Sequence, residues 1–300
     1  MSEFPLVSIC VLAYNHEKYI RDAINGILSQ KCGFNYEIVL SNDSSTDHTH
    51  EIIQDILNEH PMAYRIRYFN NEKNIGMISN FINTLENCNG KYIAICDGDD
   101  YWTDNLKLQK QIDFLENNLD YIACFHNAQV IENGKFTKPY HSWEENKNID
   151  IRSLIVKGGG IFPSSSIIYR NEIDIPEFDF DIKAGDTMLL YLILNKGMVF
   201  YLKDNMCIYR KHDQGVYSSI KNDKKKIYDD IKSNLKLNFH FKKMYPTLIS
   251  YFNESTQNQL KRLSNNVGSL HLIPLFLDGS LDFQNLKAFL SGKFKSKLNE

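Results

Sequence analysis

The alternation of two hydrophobic periods through the first hundred residues constrains this chain more than anything else in it. Residues 6–13, LVSICVLA, form a short apolar, β-branched run that reads as a buried strand. Residues 18–30 then place Tyr19, Ile20, Ala23, Ile24, Ile27 and Leu28 at helical spacing. A second strand, 36–40, ends in the polar stretch 41–47, rich in helix-capping residues, and a helix is expected from about 46 to 59. Strand 64–69, loop 70–76, helix 78–88 and strand 92–96 follow. This order predicts an α/β fold, a mostly parallel sheet with helices on both faces. Ligands of such sheets bind at the carboxyl ends of the strands. Tyr14, Asn15, Asp43 and the acidic run from Asp97 all fall at such ends, so they are expected to converge on one edge.

The acidic run is the most demanding feature on that edge. Asp97-Gly98-Asp99-Asp100 follows directly on the apolar strand. Three carboxylates in four residues behind a buried strand are costly without a counter-ion. A hard divalent cation carrying a phosphate would offset that cost, whereas an acidic turn dressed in water would not need one.

Downstream, residues 106–115 read as helix and 121–130 as strand, and Asn133-Gly134 marks a hairpin turn. A short helix is expected at 149–156. Gly158-Gly159-Gly160 lacks the spacing of a phosphate-binding loop and reads as a plain flexible loop. Residues 186–194 are an apolar helix, and 199–202 and 206–209 two short strands. From Lys221 onward the chain carries 14 basic and 7 acidic residues, against 20 and 30 before it. This tail reads as mainly helical.

The overall net charge of −3 argues for no particular partner, and nucleic acid is not expected. The six cysteines form no CxxC pair, and several sit in apolar runs where a thiol acts as a small hydrophobe. No stretch reaches the roughly 18 apolar residues that span a bilayer, and the N-terminus does not read as a signal peptide, so a cytoplasmic chain is expected.

Taken in order, these pieces resemble the family 2 glycosyltransferases of the GT-A fold. The stretch 7–15, VSICVLAYN, is similar to the family's opening strand, and 37–47, EIVLSNDSSTD, to its second. Asn74-Ile75-Gly76 resembles the NxG loop, Asp97-Gly98-Asp99-Asp100 the DxD signature, Gly185-Asp186 the catalytic acid position, and Tyr209-Arg210-Lys211-His212 the YRxH motif. The resemblance covers about residues 5–217. It implies a GT-A, Rossmann-like catalytic domain over 1–217, with 218–300 as a basic helical C-terminal region.

The resemblance also implies an activity: inverting transfer of a sugar from a nucleotide-diphosphate sugar, a UDP-sugar, to a saccharide or lipid-linked acceptor. Ala13, Tyr14, Asn15, Asp43, Asn74, Gly76, Asp97 and Gly98 would bind the nucleotide-sugar. Asp43 could instead cap the next helix. Asp99 and His212 would hold Mn²⁺ or Mg²⁺, and Asp100 would hold a metal-bound water or cap a helix. Asp186 would be the general base, or simply an N-cap. Arg210 and Lys211 could neutralise phosphate. Tyr101 and Trp102 would line a sugar subsite or pack in the core.

Two departures from the family pattern stand out. Asn42-Asp43 replaces a pair of acids, and no Glu precedes Asp186. A sugar-nucleotide pyrophosphorylase would want a glycine-rich loop where Ala13-Tyr14-Asn15-His16 stands, and a non-catalytic binding protein would not need both Asp99 and Asp186. The basic tail could pack on the catalytic domain, form a homodimer surface, or meet an anionic membrane.

Overall fold

The computed structural model describes residues 5–213, 215, 218, 220 and 223–297. The chain divides into two compact units. The first comprises residues 1–149, 162–175 and 192–211; the second takes 150–161, 176–191 and 212–300. The second unit therefore draws two segments out of the region read as catalytic, and a single cut near residue 217 does not describe it.

All strands belong to the first unit. β1 (Val7–Ala13), β2 (Tyr36–Asn42), β3 (Ile66–Asn70) and β4 (Tyr92–Asp97) pair in parallel, separated in sequence by α1 (Ile20–Leu28), α2 (Thr49–Glu59) and α3 (Met77–Glu86). Next come β5 (Tyr101–Trp102), α4 (Lys107–Asn117), β6 (Tyr121–Glu132) and the hairpin strand β7 (Lys135–Phe136). β8 (Lys147–Ile149), β9 (Ile168–Arg170) and β10 (Met198–Lys211) complete the sheet. Its order is β3-β2-β1-β4-β9-β6-β10-β5, with β7 on β6 and β8 on β10. β9 runs antiparallel to both neighbours, while β6 and β10 are parallel to each other.

The periodicities explain the core. β1 lies mid-sheet, and Val7, Ile9, Cys10 and Val11 are fully buried, as expected for a strand covered on both faces. Ile20, Ala23, Ile24 and Ile27 of α1 pack down on it, each large aliphatic contributing about 1.5–3 kcal/mol of burial. All six cysteines are free.

Two expectations need correcting. The segments 199–202 and 206–209 are one strand, β10; its pairing with β6 slips between Leu202 and Asn205 and again before Cys207. The polar Lys203-Asp204-Asn205 sits at that bulge and interrupts the apolar pattern, which is why the sequence reads as two strands. The three glycines at 158–160 form a tight helical turn, Gly158–Ile161, with Gly158 and Gly159 buried.

The second unit is helical. It holds α5 (Ile151–Lys157), most of α6 (Gly185–Ile193), α7 (Lys224–Met244), α8 (Ile249–Asn266), α9 (Leu272–Leu277) and α10 (Phe283–Lys297). Asp223 caps α7 by accepting from the amides of Lys225 and Lys226. Ile227, Ile231 and Leu235 of α7 close over Leu260, Leu263, Leu272 and Leu275 in a core of their own. Among the described residues no helix is long and apolar enough to cross a membrane.

Candidate active site

Strand register assembles the site in the first unit. Ala13 lies opposite Asn42, and Leu12 opposite Asp97, so the ends of β1, β2 and β4 stand level at one edge. The turns leaving them are cross-bonded. The Asn15 amide donates to Ser45 Oγ at 2.9 Å, and Asn15 Oδ1 accepts from the Thr46 amide at 2.8 Å. Asn15 and Ser44 both have positive φ, 57° and 55°, which polar side chains with local partners tolerate. Ala13 is buried and its carbonyl receives the Asp43 amide; Tyr14 is 45% exposed beside it, with a ring open to a ligand.

Asp43 is almost fully buried. Its carboxylate accepts from the amides of Ile75 (2.9 Å) and Gly76 (3.0 Å) and from the Asn71 side chain (2.9 Å). Asn74 closes the loop by donating to the Asp43 carbonyl and accepting from Gly76. Gly76 has φ 89°, a conformation that favours glycine. These contacts occupy three of the roughly four acceptor sites of the carboxylate. Asp43 does not cap α2, whose N-cap residue is His48; Asp47, just before it, accepts from the Thr49 amide.

The acidic run divides its labour. A Cβ on Gly98 would meet the Leu12 carbonyl at 2.6 Å and His16 Nδ1 at 2.7 Å, so this position needs glycine for close approach. The Asp97 amide donates to Ser165 Oγ at 3.0 Å. Asp99 keeps 20% of its side chain exposed, with His16 Nε2 at 3.9 Å from its carboxylate. Asp100 is buried: one oxygen accepts from the Arg210 amide (2.8 Å), the other from Ser165 Oγ (2.9 Å). Burial, with Asp99 and Asp97 nearby, pushes its carboxyl well above the usual range. Asp100 is thus pegged to Arg210 and Ser165 within the turn.

Three neighbours of the turn are engaged by the scaffold. Trp102 is 2% exposed; its indole N–H donates to the Ser165 carbonyl at 2.8 Å, and the Lys107 ammonium sits 3.9 Å from its ring. No face remains for a sugar, and core packing describes it. Tyr101 is half-buried with the Arg210 guanidinium 4.3 Å over its ring. Arg210 also bonds the Asp99 carbonyl and the Asp22 carboxylate, so its charge is spent on scaffold.

Lys107, at the start of α4, is fully buried. Its amine has no hydrogen-bond partner among the described residues, and burial lowers its pKa to about 8. Burial, helped by that lysine, also holds buried His126 well below the usual imidazole value.

Asp186 and His212 belong to the second unit. Asp186 opens α6 and accepts from the Thr187 amide at 2.7 Å. Burial, and then Asp230, raise its carboxyl above the ordinary value, opposed by that hydrogen bond. A Cβ on Gly159 would fall 2.1 Å from Asp186 Cγ, while the Gly159 amide donates to Thr187 Oγ1 at 3.0 Å. His212 follows the last residue of β10.

Sequence reasoning missed His16, Ser165 and Gly159. His16 adjoins the Tyr14-Asn15 pair, and the glycine run was visible. Ser165 gave no signal, because its partners lie 65 residues away.

No group of three or more His, Cys, Asp or Glu among the described residues is arranged to hold a metal unaided. Mg²⁺ and similar ions commonly bind through one or two carboxylates plus substrate phosphates. The partly exposed Asp99 fits that mode.

An acidic turn on the carboxyl edge of a mostly parallel, helix-flanked sheet is the GT-A class of fold. The profile of Glycosyl transferase family 2 matches residues 8–175, and the chain belongs to that family. An uncharacterised protein of Mycobacterium tuberculosis is 30% identical over 226 residues, covering 74% of this chain and 64% of the relative. Salmonella typhimurium abequosyltransferase RfbV is 29% identical over 191 residues, 58% of this chain and 56% of that protein. The chain thus spans less than two thirds of these relatives. In fold it is similar to S. aureus TarS in complex with UDP-GlcNAc, with TM-score 0.61, 18% identity, and 95% of this chain and 78% of that one covered. It is also similar to the mannosyltransferase PcManGT of Pyrobaculum calidifontis with GDP-Man and Mn²⁺, at TM-score 0.57 and 14% identity, covering 98% and 81%.

Proposed function

We propose that this chain is an inverting glycosyltransferase that moves a sugar from a nucleotide-diphosphate sugar, a UDP-sugar, to a saccharide or lipid-linked acceptor in cell-surface glycan synthesis. The observation that carries the reading is that the strand ends at Ala13, Asn42 and Asp97 meet at one edge, with Asp99 partly exposed and Asp100 held beside it. Tyr14 offers a ring face to the base. Asp43 fixes the 71–76 loop and keeps one acceptor site for a ring N–H. Asp97 accepts from ribose hydroxyls.

Asp99, with His212, would hold Mg²⁺ or Mn²⁺, which when bound supplies positive charge to the diphosphate. Asp186 takes the proton of the acceptor hydroxyl while its oxygen bonds to the anomeric carbon. The bond to the diphosphate breaks as that one forms, its electron pair leaves on the phosphate oxygen, and the anomeric configuration inverts. The abequosyltransferase relative and the nucleotide-sugar complexes of the structural neighbours support a sugar donor.

The test is a thermal-shift panel of UDP-, GDP- and dTDP-sugars with and without Mn²⁺, followed by transfer assays of Asp186→Asn. A UDP-sugar is expected to raise the melting point most, and the variant to keep that shift while losing transfer. No stabilisation by any nucleotide-sugar would overturn the reading.

A further inference from the structure

The second unit carries an apolar surface that its own fold leaves uncovered. α9, LIPLFL, is apolar all round its circumference. Leu272 and Leu275 point into the unit's core and are buried. The opposite side does not: Leu270 is 84% exposed, Ile273 60% and Leu277 77%. Their spacing of three and four residues makes one stripe along the short helix and the turn before it. Exposed Phe276 and Phe283, with ring centroids 6.4 Å apart, extend the stripe across to α10. Scattered surface leucines need no explanation, but a contiguous stripe of this kind marks an interaction surface.

Charge beside the stripe selects its partner. The Tyr228 ring lies 5.4 Å from His271, and the Lys232 ammonium is 2.5 Å from the Asp278 carboxylate, so the first turns of α7 run alongside α9. One turn before Tyr228 stand Lys224, Lys225 and Lys226, all exposed. The acids closest in sequence to the stripe are already neutralised, Asp278 by Lys232 and Asp282 by Lys242. The surface is thus apolar in its middle and cationic at its rim. A bilayer with anionic headgroups meets both parts, taking the side chains of α9 into the acyl boundary and the lysines at the phosphates.

We propose that the α9 stripe and the Lys224–Lys226 run form a docking surface for an anionic lipid bilayer. This assignment is independent of the reading of the acidic turn. The test is co-sedimentation of the full chain with vesicles of phosphatidylcholine alone or mixed with phosphatidylglycerol, at low and high salt. Binding is expected only to the anionic vesicles, and it should weaken with salt. Each lysine contributes about fivefold in affinity, so Lys224→Glu with Lys225→Glu and Lys226→Glu should abolish it. Ile273→Ser with Leu277→Ser should also lose binding; both positions are exposed, so an unchanged melting temperature is expected to certify the fold.

Binding that survives both sets of changes would overturn the proposal. So would an absence of vesicle binding. Concentration-dependent dimerisation abolished by the Ile273→Ser, Leu277→Ser pair, without vesicle binding, would assign the surface to self-association instead.

Discussion

The Arg210 amide donates to the Asp100 carboxylate at 2.8 Å across 110 residues of chain, tying β10 to the acidic turn. Adjacent acids in one turn therefore carry different duties. Asp100→Ala strands two buried donors and should cost on the order of 3 kcal/mol. Asp99→Ala should stay within about 0.5 kcal/mol of the parent, because its side chain is partly exposed. Urea midpoints of the two variants, measured side by side, check this; equal losses would contradict the division.

Lys107 predicts a pH dependence of known sign. Its folded pKa of about 8 lies below the ordinary 10.5. Between those values the unfolded chain keeps a proton that the folded chain has released, so stability rises with pH across the window and levels off above it. The rise is on the order of 3 kcal/mol. Lys107→Met should remove it and be at least as stable as the parent at pH 7. Denaturant midpoints at pH 7 and 10, under reducing conditions, read both effects.

Gly159→Ala should act through Asp186. The added Cβ would displace a carboxylate whose carbon lies 2.1 Å away. A displacement of about 1 Å can cost on the order of 100-fold in rate. Transfer should fall while nucleotide-sugar binding persists, and Gly159→Ala combined with Asp186→Asn should be no slower than Asp186→Asn alone. Additive losses would separate the two residues.

As the proposed general base, Asp186 with its raised carboxyl would set the acid limb of the rate profile. If Asp186 accepts the acceptor's proton, kcat/KM should fall on acidification at a pH above the ordinary carboxylate range. A limb at or below that range would exclude Asp186 as the titrating base.

Asp43→Ala frees the amides of Ile75 and Gly76. Hydrogen exchange at those two amides should speed up markedly while β1 stays protected, and donor KM should rise. Unchanged exchange would mean that the loop holds itself.

The sheet was legible because β1, β2 and β4 are continuous apolar runs, and because each ends where polar residues begin. Convergence of Tyr14, Asp43 and Asp97 followed from strand direction alone. What stayed hidden has a common physical cause. Proximity in sequence to the acidic turn says nothing about which way a ring points, so the sequence leaves Trp102 open between a sugar subsite and the core it in fact faces. Asp43 looked free because its partners, Ile75 and Gly76, arrive from another loop. Gly159 was visible only as flexibility, since the carboxylate that fills its missing Cβ comes from α6. Lys203-Asp204-Asn205 broke the strand pattern of β10 without breaking the strand.

Ser165 stands between two of the acids with its hydroxyl oriented. It receives the Asp97 amide and donates to Asp100. This makes a one-way relay of hydrogen bonds, each polarising the next. Asp100, as the final acceptor, is linked along it to the backbone that carries Asp97. The electronic state of a residue no ligand can reach is thereby transmitted to the backbone of one at the ligand's edge.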